Sequence, residues 1–195
     1  MKDFFTKRKN CVLCKKKKLT EVLDFKLTPL ANSYPVKFFQ KENRYKLNVG
    51  LCEDCGHLQL ITIINPDQLF KNYLYVSGTS KVLIKHFDNL AKKIINNFKI
   101  KKNAKILDIA ANDGTLLNCF KKKGYDELVG IDPAKNLQKF SRKLNIKTHS
   151  IFFNEKNSEK IKKQSGQFNI ITANNVCAHV PDLKNFFLGV KNLLK

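Results

Sequence analysis

The second half of the chain alternates short apolar runs with stretches whose apolar residues recur every three or four positions. The runs predict buried strands, and the longer period predicts amphipathic helices. The predicted strands cover residues 105–110, 127–131, 146–151 and 168–173. The predicted helices cover residues 115–123, 133–144 and 155–163, and Asp182 is expected to cap a last one. This alternation predicts the α/β fold class, with a parallel, doubly wound sheet.

A further helix is predicted ahead of this region, over residues 79–98, where it joins the two halves of the chain. Its apolar stripe consists of Leu83, Phe87, Leu90, Ile94 and Phe98. The candidate N-caps are Ser77, Thr79 and Ser80. Just before it, residues 73–80 place two phenols and three hydroxyls around a glycine. That composition is typical of either a turn with capping hydroxyls or a loop that contacts a ligand.

Four of the six cysteines form two Cys-x2-Cys hooks, Cys11 with Cys14 and Cys52 with Cys55, separated by 37 residues. Each hook can place two thiolates on one face of a metal ion, and the two hooks together supply the four tetrahedral ligands that Zn²⁺ accepts. The spacing predicts a structural zinc site, because four thiolates leave no coordination position open to a substrate.

Two disulfides or a redox-active Cys-x2-Cys are the alternatives, but a cytoplasmic chain disfavours the first and the presence of two hooks disfavours the second. Gly56 suits a knuckle that needs positive φ, whereas Lys15 occupies the equivalent place after the first hook. His57 is interpreted as a strand residue rather than a fifth ligand. Cys119 and Cys177 lack partner spacing and are predicted to be small buried apolar residues.

The charge is strongly positive, since 37 Lys and Arg residues against 16 Asp and Glu residues give a formal net charge of +21. Such a field attracts polyanions, from a sugar nucleotide to RNA. Only three of these cations are Arg, the residue that best grips phosphate, and the abundance of Lys, Asn and Ile follows from A/T-rich codons. No run approaches the roughly 18 apolar residues of a spanning helix, and the N-terminus has no apolar signal segment. We therefore expect a cytoplasmic protein that does not enter a membrane.

The first strand of the second half leads into a loop, Asp108 to Gly114, that is rich in small residues and precedes a helix. In a doubly wound sheet, ligands bind beyond the carboxyl ends of the strands, near the point where strand order reverses. Asp132 ends the second strand, where a carboxylate can accept both hydroxyls of a ribose. These features predict a site for an adenosine-type cofactor; small residues that serve packing alone are the alternative.

Three segments, together with the four-cysteine module, resemble the sugar C-methyltransferase family. Residues 108–117 read Asp-Ile-Ala-Ala-Asn-Asp-Gly-Thr-Leu-Leu, residues 130–133 read Gly-Ile-Asp-Pro, and residues 173–182 read Ala-Asn-Asn-Val-Cys-Ala-His-Val-Pro-Asp. The resemblance includes residues 30–34 and 75–80 and covers nearly the whole chain. It implies a zinc-binding N-terminal domain before a Rossmann-like methyltransferase domain that uses S-adenosylmethionine (SAM). The substrates of this family are nucleoside-diphosphate keto-sugars.

The resemblance also implies roles for single residues, with Asp132 holding the cofactor ribose. The methionine end of the cofactor would be lined by the loop that contains Asp108, Ala110, Asn112, Asp113 and Gly114. The methyl-transfer site would be bordered by Asn174, Asn175 and His179, and the sugar would be faced by Tyr75. Ala110 stands where methyltransferases usually carry the first glycine of the loop, and its methyl group is expected to narrow the cofactor's approach.

The implied reaction removes a proton α to a ketone, and the resulting enolate carbon attacks the sulfonium methyl group in line. His179 is the candidate base, because free imidazole titrates near neutral pH. A turn-capping role for this histidine is the alternative.

Chains of this family are about twice as long, and their catalytic base generally lies beyond the methyltransferase core. Only four parallel strands are predicted here, and in the methyltransferase strand order the fourth is internal, so its outer edge would be unpaired. We therefore expect a truncated or split gene product in which cofactor binding survives without turnover, or a second chain that supplies the missing strands. A compact variant is the alternative.

Three regions are predicted: a zinc-binding domain over residues 1–66, a linker helix region over 67–98, and an incomplete SAM-dependent methyltransferase domain over 99–195. The preferred function is C-methyl transfer to a nucleotide-linked keto-sugar. The alternatives are an RNA methyltransferase with a zinc ribbon, which would use the positive charge more fully, and a non-catalytic zinc-stapled binding module. A nucleic-acid partner is not favoured, because the chain lacks clustered aromatic residues interleaved with Arg.

Overall fold

The computed structural model describes residues 4–37 and 39–195, and the chain forms two compact units. The first unit consists of Met1–Tyr73 with Pro181–Leu183, and the second of Leu74–Val180 with Lys184–Lys195. Each unit has its own sheets, so each is described separately. No helix among the described residues is long and apolar enough to span a membrane.

The first unit contains two antiparallel sheets. Its strands are β1 (Phe5–Lys7), β2 (Leu19–Pro29), β3 (Arg44–Cys52), β4 (Leu58–Leu60) and β5 (Thr62–Ile64). One sheet pairs β1 with β5, and the other has the order β2-β3-β4. A short helix, α1 (Pro66–Phe70), follows, and the side chain of Asn65 caps it by accepting the N–H of Asp67 at 3.0 Å. The strand predicted to include His57 is present as β4, but it begins at Leu58, so His57 itself lies just outside it.

Few apolar side chains are buried in the first unit. Among its described residues, the buried apolar ones are Cys11, Val12 and Cys52. A buried polar pair adds order, since Asn48 Oδ1 accepts both the N–H and the hydroxyl of Thr62, at 3.2 and 2.9 Å. Two of the three buried apolar residues of this unit are therefore hook cysteines.

The second unit is a parallel α/β sheet with helices on both faces. Its strands are β6 (Ile106–Ile109), β7 (Leu128–Ile131), β8 (Lys147–His149) and β9 (Ile170–Thr172). Its helices are α2 (Lys81–Phe98), α3 (Thr115–Lys121), α4 (Gln138–Lys143), α5 (Glu155–Ser165) and α6 (Leu183–Leu193). The strand order is β8-β7-β6-β9 with every pair parallel, which confirms the predicted doubly wound sheet.

Apolar side chains pack on both faces of this sheet, because successive strand residues point to opposite sides. Ile106 packs with Phe87 and Phe120, on the face covered by α2 and α3. Leu107 packs with Ile161 and Phe186, on the face covered by α5 and α6. Strands buried on both faces read as continuous apolar runs, which is why sequence periodicity found them.

Two helices differ in detail from the predictions. Of the three candidate N-caps of α2, Ser80 takes the role and accepts the N–H of Leu83 at 3.2 Å. The continuous helix predicted over 133–144 is wrong, since a 3₁₀ turn over Lys135–Leu137 precedes the short α4. Asp132 Oδ1 accepts the N–H of Ala134 at 2.8 Å, and Ala134 is extended at φ −74° and ψ 95°, which prevents a helical start there.

The outer side of β9 carries no full strand. Among the residues that the structure describes, β9 has β6 as its strand neighbour. Two residues before β9, Phe168 forms an isolated parallel bridge with Leu194. Its N–H donates to the Leu193 carbonyl at 2.8 Å, and its carbonyl accepts the Lys195 N–H at 3.0 Å.

Candidate functional site

The four hook cysteines converge on one point of the first unit. Their Sγ atoms all lie within 4.8 Å of one another, with Cys11 to Cys55 at 3.7 Å and Cys14 to Cys52 at 3.5 Å. A tetrahedral zinc ion with Zn–S bonds of about 2.3 Å has S···S edges of about 3.8 Å. The cluster therefore fits a four-thiolate zinc ion, as predicted, and in the described part of the chain His57 is not among the clustered ligands.

The two hooks, residues 11–16 and 52–57, fold in the same way. In each, the N–H of the residue after the second cysteine donates to the carbonyl of the first cysteine, at 3.1 and 2.8 Å. The N–H of the first cysteine in turn donates to the carbonyl of the second residue after the second cysteine. This residue is Lys16 in one hook, at 2.8 Å, and His57 in the other, at 3.0 Å. The shared turn needs a left-handed residue, which is Gly56 at φ 72° in one hook and Lys15 at φ 64° in the other. Lys15 therefore holds a conformation that glycine adopts more easily.

In the second unit, the loop between β6 and α3 turns through three left-handed residues. These are Ala110 at φ 61°, Asn112 at φ 53° and Gly114 at φ 86°. Glycine and asparagine adopt this region readily, whereas alanine does so at a cost of roughly 1–2 kcal/mol. Ala110, the residue that departs from the family's glycine, is thus one of the strained positions.

Asp132 lies at the carboxyl end of β7 and faces this loop. It is 7% exposed; Oδ2 accepts the N–H of Asn112 and Oδ1 that of Ala134, both at 2.8 Å. Burial raises the pKa of this carboxyl group, and the two N–H donors oppose that shift. A carboxylate has about four acceptor positions, so each oxygen can take one more donor. Two neighbouring hydroxyl groups of a ribose would supply such donors.

Asp108 lies deeper, within β6. It is 4% exposed, and Oδ1 accepts the hydroxyl of Thr172 from the neighbouring β9 at 2.7 Å. Burial raises the pKa of Asp108 to about 7; the Thr172 hydroxyl opposes that shift and the negative charge of Asp132 adds to it. Asp108 therefore changes its charge in the neutral pH range.

The side chains of Asn112 and Asp113 are engaged by a distant segment of the same unit, residues 75–78. Asn112 accepts the N–H of Ser77 and donates to the carbonyl of Tyr75, both at 3.0 Å. Asp113 Oδ2 accepts the N–H of Gly78 at 2.8 Å. The structure thus brings the backbone of Tyr75 to the loop after β6, while the Tyr75 side chain is 46% exposed.

The remaining candidates, Asn174, Asn175 and His179, follow β9. They lie at the same edge of the sheet as the cofactor loop, because β9 is the parallel neighbour of β6. Asn174 is half-buried, while Asn175 and His179 are exposed. His179 ends a 3₁₀ turn over Cys177–His179 and donates its N–H to the carbonyl of Val176 at 2.9 Å.

Sequence reasoning missed a polar group at the end of β8. The side-chain atoms Thr148 Oγ1, His149 Nε2 and Ser150 Oγ are buried without a hydrogen-bond partner. They adjoin the site, since the N–H of Asp132 donates to the carbonyl of His149 at 3.0 Å. Burial, and then the positive charge of Lys147, lower the pKa of His149. The available signal was the run of three polar residues, 148–150, at the carboxyl end of β8, because ligands bind near strand carboxyl ends in such a sheet.

A separate cavity of about 300 Å³ lies beside Asp113 on the helix side of the loop. Its lining is mainly apolar and includes Ile84, Cys119, Phe140 and Leu144. Neither Asp132 nor residues 148–150 at the end of β8 line this cavity. This cavity is therefore distinct from the polar site at the strand ends.

Comparison with known families accounts for both units. Residues 83–195 match a family model described as a methyltransferase domain. The chain belongs to this methyltransferase family. Residues 11–70 match a model described as a zinc binding domain, and they contain all four clustered cysteines. The methyltransferase domain contains the four parallel strands and the loop with its carboxylates.

Individual relatives are more distant. The chain is 26% identical to the C-methyltransferase NovU of Streptomyces niveus, over 100% of this chain and 46% of that protein, so it spans about half of that relative's length. Among solved structures it is similar to the plantazolicin methyltransferase BpumL in complex with SAH, at 18% identity, 56% and 41% coverage and a TM-score of 0.45. It is also similar to the magnesium protoporphyrin IX methyltransferase ChlM of Synechocystis PCC 6803 with bound SAM, at 12% identity, 57% and 54% coverage and a TM-score of 0.44.

Proposed function

We propose that this chain is a SAM-dependent C-methyltransferase, or part of one, that acts on a nucleoside-diphosphate keto-sugar. The observation that carries the proposal is the buried carboxylate of Asp132, which keeps acceptor positions beside the left-handed loop of a methyltransferase domain. The name of the relative NovU supports transfer to carbon.

The residues at the strand ends suit the parts of SAM. Asp132 would accept the ribose hydroxyls, and the unpartnered atoms of His149 and Ser150 would meet the polar edge of the base. The loop from Asp108 to Gly114 would line the methionine end. SAM supplies a methyl group on a positively charged sulfur, which a carbon nucleophile can take up.

Two exposed side chains would handle the substrate. We propose that the imidazole of His179 takes the proton from the carbon next to the ketone, because a ring nitrogen placed at the substrate can act as a general base. The phenol of Tyr75 would hydrogen-bond the sugar and orient that carbon. Asn174 and Asn175, which follow β9, would border the same space and orient the substrate through their amides.

Proton removal can be tested separately from methyl transfer. The zinc-loaded protein is incubated in D2O with keto-sugar nucleotides, first alone and then with SAM labelled in the methyl group. We expect deuterium at the α-carbon in the first case and a labelled methyl group on that carbon in the second. His179→Gln should abolish both, whereas His86→Gln on the exposed face of α2 should leave both unchanged.

A protein that binds SAM but neither exchanges the α-proton nor methylates any keto-sugar nucleotide would contradict the sugar proposal. Full activity of the His179→Gln variant would instead show that another group is the base.

A further inference from the structure

We propose that Asn112 is a positioning residue whose side chain fastens the backbone of residues 75–78 to the cofactor loop and thereby places Tyr75. We call residues 75–78 the strap. This inference rests on the proposed function for the meaning of Tyr75, while the fastening itself stands on hydrogen bonds within the second unit.

The Asn112 carboxamide pairs with the strap as a peptide group would. Its Oδ1 accepts the N–H of Ser77 and its Nδ2 donates to the carbonyl of Tyr75, both at 3.0 Å. The backbone N–H of the same residue donates to Asp132 Oδ2 at 2.8 Å. One residue therefore links the candidate ribose carboxylate to the backbone that carries Tyr75.

A second contact fixes the end of the strap. Asp113 Oδ2 accepts the N–H of Gly78 at 2.8 Å, while Oδ1 is held by the hydroxyl of Thr115 at 2.6 Å. A Cβ on Gly78 would lie 2.6 Å from Asp113 Oδ2 and 3.0 Å from Thr115 Oγ1, so a side chain there would displace the carboxylate that accepts the Gly78 N–H. The strap can approach the loop this closely only with glycine at this position.

This arrangement assigns the side chains of Asn112 and Asp113 to the strap, while the backbone of the loop faces the cofactor. A ligand that binds Asp132 and orders the loop also orders the strap, because Asn112 belongs to both. The amide is specifically required: an aspartate at this position would set a carboxylate oxygen against the Tyr75 carbonyl oxygen.

The test uses Asn112→Gly, because glycine keeps the left-handed φ of 53° and the N–H to Asp132 but lacks the carboxamide. Asn112→Asp keeps the shape of the side chain and replaces the Nδ2 donor with a carboxylate oxygen. Asn145→Gly and Asn145→Asp are matched controls, because Asn145 is exposed and has a left-handed φ of 52°. The first readout is hydrogen exchange of the Ser77 amide, with and without S-adenosylhomocysteine (SAH).

We expect the Ser77 amide to exchange about tenfold faster in Asn112→Gly than in the wild type and the controls. Asn112→Asp should lie between them, because its carboxylate can still accept the Ser77 N–H but repels the Tyr75 carbonyl. Saturating SAH should slow this exchange in the wild type and leave it unchanged in Asn112→Gly, with saturation of each protein established by titration. For an active preparation, Asn112→Gly should raise the sugar KM rather than lower kcat.

Equal Ser77 protection in wild type and Asn112→Gly would overturn the inference. If the wild type does not bind SAH, the proposed function is overturned instead. The comparison of Ser77 exchange without SAH would still decide whether Asn112 fastens the strap.

Discussion

At the scale of single residues, the loop after β6 concentrates unusual backbone in a small space. Ala110 carries a methyl group at φ 61°, although the left-handed region disfavours any Cβ. Strain of this kind persists only where surrounding contacts impose it, and it clusters at ligand sites. Here Asn112 and Gly114, also left-handed, complete the turn that brings the Asn112 N–H to Asp132.

Replacing Ala110 tests this strain. Ala110→Gly should leave the free energy of unfolding unchanged or raise it by up to about 1 kcal/mol, because the relieved strain exceeds the added freedom of the unfolded chain. Ala110→Val should lower it by more than about 1 kcal/mol, since a β-branched residue is a severe outlier at positive φ. Urea unfolding of the wild type and the two variants gives their free energies of unfolding, and the order of these values tests the prediction. A glycine variant that is less stable than the wild type by more than about 1 kcal/mol would contradict the observed backbone.

Asp108 makes stability depend on pH. Its pKa is raised by burial to about 7 in the folded protein, against about 3.9 in an unfolded chain. The folded state therefore binds the proton more tightly, so the contribution to stability is complete below pH 4 and is lost as pH rises through 7. Relative to Asp108→Asn, wild-type stability should fall by up to about 1.4 kcal/mol per pH unit between pH 5 and 7, and level off above pH 8.

Urea unfolding of both zinc-loaded proteins at several pH values gives this difference directly. A difference that is constant from pH 5.5 to 8 would show that Asp108 is already ionised in the folded protein.

At the scale of elements, the zinc hooks replace a core. The first unit buries little apolar surface among its described residues, and its two hooks fix the end of β3 against the segment before β2. In such a small unit, metal binding contributes folding free energy directly. The second unit instead packs apolar residues on both faces of its sheet.

Removal of one thiolate should therefore unfold the first unit selectively. Cys52→Ser should lose the single bound zinc ion, and amide exchange in β3 and β4 should rise at least a hundredfold while β6 and β7 remain protected. Cys177→Ser, outside the cluster, is the control and should keep one zinc ion per chain. Zinc content by atomic absorption and exchange by mass spectrometry measure both. Retention of zinc and of β3 protection in Cys52→Ser would contradict a four-thiolate site.

The same scale shows what sequence could predict. The strands β6 and β7 were found because both of their faces are buried, and the cysteines because metal ligation fixes their spacing. The long pair β2 and β3 was missed, since β2 is mostly exposed and lacks a clear alternation. The bonds from Asn112 to the strap join residues 35 and 37 positions apart, so local pattern does not encode them.

At the scale of the whole molecule, a net charge of +21 attracts any polyanion at low salt. Binding to RNA under such conditions reports charge rather than function, because counterion release makes it strongly dependent on salt. SAH carries no phosphate, so its binding reports the polar site itself. The chain also spans 46% of the length of NovU, which makes cofactor binding a more direct test than turnover.

Calorimetric titration of the zinc-loaded protein with SAH at physiological salt measures this cofactor binding. The account predicts one SAH per chain, and an affinity at least tenfold weaker in Asp132→Asn, because charge-assisted bonds to the ribose contribute about 1.5–3 kcal/mol. Asp126→Asn, an exposed position before β7, should match the wild type. Absence of binding heat at millimolar SAH, or equal affinity of wild type and Asp132→Asn, would contradict a cofactor site at this carboxylate.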